Sequence, residues 1–118
     1  MTKYRYFRST DPNFYNSNHK GNELCVTIQT NVVKNDSDLV LVHWKFTLKH
    51  PKDTFNKQIA REVLNNQPEH VLILKPNFTR FEILSKIFAY LYYENSTFSD
   101  DYRWFVEEIF TQLDYGLG

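Results

Sequence analysis

Residues 24–48 read LCVTIQTNVVKNDSDLVLVHWKFTL, and the period of this stretch decides the fold. Leu24, Val26, Ile28 and Val32 alternate with Cys25, Thr27, Gln29 and Asn31. Successive side chains of a strand point to opposite faces, so this pattern marks a half-buried strand. Val40, Val42, Trp44, Phe46 and Leu48 repeat the pattern against Leu41, His43, Lys45, Thr47 and Lys49. The intervening VKNDSD is rich in Asn and Asp, which bond their own backbone in tight turns, so the two strands form a hairpin.

Working outward, Lys3 to Arg8 reads as a short strand, and Asp11 to Asn22 as a long loop of turn-forming residues. Past the hairpin, Pro51 suits a first helical position, and Phe55, Ile59 and Val63 recur every fourth residue. A helix over about 52–66 follows, stopped by Asn65, Asn66 and Pro68. Val71 to Leu74 is a short apolar run that reads as a buried third strand. The helix before it allows a right-handed parallel crossover. Thr79 to Glu82 forms a capping box flanked by Phe78 and Ile83, opening a helix from Arg80 to about Tyr93. Ser99 caps a last helix carrying Tyr102, Phe105, Val106, Ile109, Phe110 and Leu113 on one stripe, with Gly116 placed to end it. The expected architecture is a single α+β domain over 1–118. It has a small antiparallel or mixed sheet, made of the hairpin and the third strand, a crossover helix, and a C-terminal antiparallel helix pair.

Composition narrows the function classes. In 118 residues, 17% are aromatic and only 3 are Gly, which argues against disorder and against Gly-rich phosphate loops. Fourteen basic residues balance fourteen acidic ones, so no global field gathers nucleic acid or anionic membrane. The total conceals polarity, with +3 over residues 1–22, +2 over 23–93 and −5 over 94–118. Cys25 is the single cysteine, which excludes an intrachain disulfide and Cys-based metal motifs and suits a reducing cytoplasm. No window reaches the roughly 18 to 20 apolar residues of a membrane span, and the first residues lack a signal-peptide core. A membrane partner is therefore not expected.

No hydrolase, zinc-protease, P-loop or dinucleotide signature occurs, and His19, His43, His50 and His70 lack metal-site spacing. The expectation is a protein that is not an enzyme, with no catalytic residues, no metal and no cofactor. Three surfaces remain as candidates. Lys49, Lys52, Asn56, Lys57 and Arg61 gather at and along the first helix, where free N–H groups favour an anionic or nucleotide ligand. Tyr4, Arg5, Tyr6 and Arg8 interleave rings that stack on bases with charges that neutralise phosphates. Tyr92, Tyr93, Phe98, Tyr102 and Trp104, with Glu107 and Glu108, suit a protein interface, because amphipathic aromatics bury much area at little entropic cost.

Residues 46–62, FTLKHPKDTFNKQIARE, resemble a segment common in small bacteriophage proteins, where a hairpin strand leads through a Pro and Asp turn into a helix reading D-x-F-N/C-K-x-x-G-R. Asp53, Phe55, Asn56, Lys57 and Arg61 match, and Ala60 stands where those proteins have Gly. The resemblance implies a phage or mobile-element origin. The expected function is then a non-enzymatic accessory protein that binds and inhibits or sequesters a host component. A host factor, the chain itself as a homo-oligomer, and less readily nucleic acid are its expected partners.

Overall fold

The computed structural model describes residues 2–10, 23–34 and 38–114. The loop read at 11–22, the hairpin tip at 35–37 and the stop at Gly116 lie outside the described residues. Four strands, β1 (Thr2–Arg8), β2 (Cys25–Lys34), β3 (Val40–Leu48) and β4 (His70–Leu74), form one sheet in sequence order, with every neighbouring pair antiparallel. The expected hairpin is β2 with β3, in the register Ile28 opposite Phe46 and Thr30 opposite Trp44.

The parallel crossover is not found. β4 runs against β3, with His70 opposite Trp44 and Leu74 opposite Val40. A parallel partner would have to start at the far end of the nine-residue β3, roughly 30 Å away. The connection through helix α1 (Lys57–Leu64) instead returns the chain to the end of β3 that it left. Nor is β4 buried on both faces. It is an edge strand in which Leu74 meets the core, whereas Val71 and Ile73 stand exposed on the opposite side.

Alternation sorts the sheet into two faces. Phe7, Val26, Ile28, Val42, Trp44, Phe46, Leu72 and Leu74 share the side packed by α2 (Arg80–Tyr93) and α3 (Asp100–Asp114). Phe88 of α2 meets Phe7 edge-on at 4.8 Å, and Ile87, Leu91, Phe105, Val106 and Ile109 complete the core. Thr79 accepts a hydrogen bond from the Glu82 amide and Ser99 from the Tyr102 amide, as the capping reading anticipated. Apolar residues nearly encircle α2 because it packs against both the sheet and α3. Among the described residues no helix is long and apolar enough to cross a membrane.

The second face carries Tyr4, Tyr6, Arg8, Thr27, Gln29, Leu41, His43, Lys45, Thr47, Val71 and Ile73. Helix α1 lies on this face, and it begins at Lys57 rather than 52. Residues 49–53 make a separate turn, in which the Asp53 amide donates to the His50 carbonyl. Asn56 is extended (φ −147°, ψ 118°), and its side-chain oxygen accepts from the Ile59 amide, fixing the helix start there.

Candidate functional site

Docking of α1 on β1 brings two of the predicted groups together. The Arg61 guanidinium lies 4.5 Å from the Tyr4 ring centroid, and its Nε donates to the Tyr6 hydroxyl at 2.9 Å. One turn earlier, Lys57 Nζ sits 5.2 Å from the Tyr6 ring. Tyr6 meets Phe55 edge-on at 5.6 Å, and Arg8 stacks on Phe55 at 4.3 Å. Gln29 Nε2 donates to the Tyr4 hydroxyl at 3.1 Å, which fixes that ring from below. Three cation and ring pairs thus line one edge of the sheet, above an open groove of about 490 Å³ walled by Tyr4, Lys57, Gln58, Arg61, Glu62 and Asn65.

The charges on this face differ in availability. Arg8 is clamped by Glu23, whose two carboxylate oxygens receive Nε and Nη2. That bond holds the Glu23 carboxyl below its usual range and pushes the Arg8 guanidinium up. Among the described residues no carboxylate forms an ion pair with Lys57 or Arg61. The Arg61 fork is oriented by the two tyrosines, so a phosphate or carboxylate meets a cation already in place.

Other predicted members lie elsewhere. Lys49 folds onto the turn and donates from Nζ to the carbonyls of His50 (3.0 Å), Pro51 (3.4 Å) and Asp53 (2.6 Å), so it is not free to hold an anion. Lys52 is exposed on that turn, and Asn56 is engaged as the cap. The anion site expected at a helix start near 52 therefore dissolves, leaving Lys57 and Arg61. Arg5 points to the other face of β1, over Phe7 at 5.7 Å, because neighbouring strand residues alternate.

The C-terminal aromatic group divides too. Tyr102 is buried in the core, and Phe98, Trp104 and Tyr92 are half-buried against it. Tyr93 and Glu107 are exposed, and Glu108 is half-buried. Tyr102 is the residue whose role the sequence reading missed. Its hydroxyl accepts from the Cys25 amide at 3.1 Å and donates to the Lys49 carbonyl. Its spacing with Phe105, Val106 and Ile109 on one stripe was the available signal of burial.

A further cavity of about 550 Å³ is lined by Thr27 of β2, Thr47 of β3, Phe55, and Ile59 and Val63 of α1, with Lys49 and Asp53 also on its wall. Hydroxyl and apolar walls suit a neutral amphipathic molecule better than an anion. Cys25 is fully buried, with Sγ 3.7 Å from the Thr27 hydroxyl. Burial pushes its thiol up to about 11, which leaves almost no thiolate for nucleophilic attack near neutrality. His43 donates from Nδ1 to Glu69 at 2.8 Å, and His70 stacks on Trp44 at 4.5 Å. Among the described residues no three of His, Cys, Asp and Glu gather as a metal site.

No protein-family model matches the chain, and neither a curated protein nor a solved structure matches it.

Proposed function

We propose that the protein is a non-enzymatic binding module whose working surface is the face built by α1 and β1, and that its ligand is single-stranded nucleic acid. The carrying observation is the row of three aromatic rings, each holding a cation, along the edge of the sheet. An extended stripe of this kind fits a chain of phosphates and bases better than one compact anion. Lys57 and Arg61 take phosphates, and Tyr4 and Tyr6 orient them. Phe55, Lys57 and Arg61, which match the bacteriophage segment, are the residues that build this face. In a phage or mobile-element setting such a module acts by occupying a host component. The acidic C-terminal helices are the weaker surface, because Tyr102, their central aromatic, lies in the core.

Fluorescence anisotropy with a labelled oligonucleotide of about 20 residues, read over a salt series, tests this reading. Affinity should fall as salt rises, and Lys57→Ala or Arg61→Ala should each weaken binding roughly tenfold and reduce the salt slope by about 0.7. Absent binding at about 20 mM salt, or binding indifferent to both substitutions, would overturn it.

A further inference from the structure

The strand β4 lies within Pro68-Glu69-His70-Val71-Leu72-Ile73-Leu74-Lys75-Pro76, and this stretch is complementary to itself when reversed. Placing Leu72 opposite Leu72 sets Val71 against Ile73, His70 against Leu74, Glu69 against Lys75 and Pro68 against Pro76. β4 is also the outer strand of the sheet, and among the described residues β3 is the one strand paired with it. Proteins usually blunt such an edge with an inward charge, a bulge or a proline, since unpaired N–H and C=O groups template another strand. Between His70 and Leu74 there is no proline and no lysine. Ile73 is 61% exposed and Val71 50%, side by side on the face that α2 and α3 leave open.

We propose that the β4 edge is an interface for a second copy of this chain, paired antiparallel about a two-fold axis through Leu72. Antiparallel strands set directly opposed residues on the same face, so Val71 and the partner's Ile73 cover each other on the open side. Glu69 and the partner's Lys75 lie on that side as well, forming one ion pair at each end of the seam. Glu69 already receives His43 on one carboxylate oxygen, and the partner's Lys75 takes the other. Pro68 and Pro76 have no N–H and limit the ladder to the seven residues between them. A slip of two residues would bring a proline into the ladder and set Glu69 against Ile73 or Lys75 against Val71, so charge and proline placement fix one register. The result is an isologous dimer with a continuous eight-stranded sheet.

Sedimentation velocity over a concentration series tests this, with far-UV circular dichroism confirming that each variant is folded. The wild-type chain should dimerise. Glu69→Lys and Lys75→Glu each set like charges across both ends of the seam and should raise the dimer dissociation constant roughly tenfold. An equimolar mixture of these two variants should dimerise as the wild type does, because opposite charges then face each other. Ile73→Lys, at an exposed position, should give a folded monomer. A wild type that stays monomeric up to about 1 mM, or a dimer that none of the three substitutions weakens, would overturn the interface. Arg61→Ala should leave the dimer intact, so this test is separate from that of the nucleic-acid face.

Discussion

The Tyr102 hydroxyl accepts the Cys25 N–H and donates to the Lys49 carbonyl, joining α3 to the end of both central strands. Burial pushes this phenol up to about 12. Tyr102→Phe keeps the ring but strands both backbone groups, and should lower stability by about 1–3 kcal/mol in urea unfolding. Cys25, raised to about 11, should resist a thiol reagent at neutral pH in the native protein and react on unfolding. The pair of Arg8 and Glu23 predicts an acid dependence. The Glu23 carboxyl sits below its ordinary value of 4.5, so its contribution is present above that value and lost as pH falls through the lower folded one. Glu23→Gln should flatten that part of the stability curve. The raised Arg8 group contributes throughout the working range and loses that contribution only as pH rises past the ordinary arginine value. Tyr4, Arg5, Tyr6 and Arg8 read as one surface in the sequence, although strand parity sends Arg5 to the opposite face from the other three. The meeting of Tyr6 with Arg61, 55 residues apart, was not legible there, since no local pattern says which face a later helix will cover.

Among the elements, α2 was legible to the residue because Thr79 offers an unambiguous cap. Helix α1 was read too long because Pro51 and the repeat from Phe55 both suit a helix. Lys49 instead holds the His50, Pro51 and Asp53 carbonyls in a turn, and Asn56 caps a later start. Asn56→Ala should therefore cost about 1 kcal/mol, read as a lower midpoint in thermal unfolding. Leu64 is the one buried residue of this helix, and Leu64→Ala should cost about 2–5 kcal/mol and loosen the α1 face with it. The direction of β4 was beyond the sequence reading. An apolar run of four residues fits a parallel or an antiparallel partner equally, and the 49–69 connection is long enough for either.

At the scale of the molecule, β1 and β4 are opposite edges of one sheet, so pairing through β4 leaves both α1 faces pointing outward. Such a dimer is bivalent, and an oligonucleotide long enough to reach both faces should bind more tightly than one half its length. Lys75→Glu should remove that advantage while leaving the short oligonucleotide's affinity unchanged, which anisotropy measures directly. The bond between Tyr102 and Cys25 spans 77 residues, and it bears on how the protein is made. All four strands and α2 leave the ribosome before α3, while the side of the sheet bearing Val26, Ile28, Val42 and Trp44 is only half covered. A chain that has not yet released the 100–114 stretch therefore exposes the apolar sheet surface that α3 covers in the folded protein.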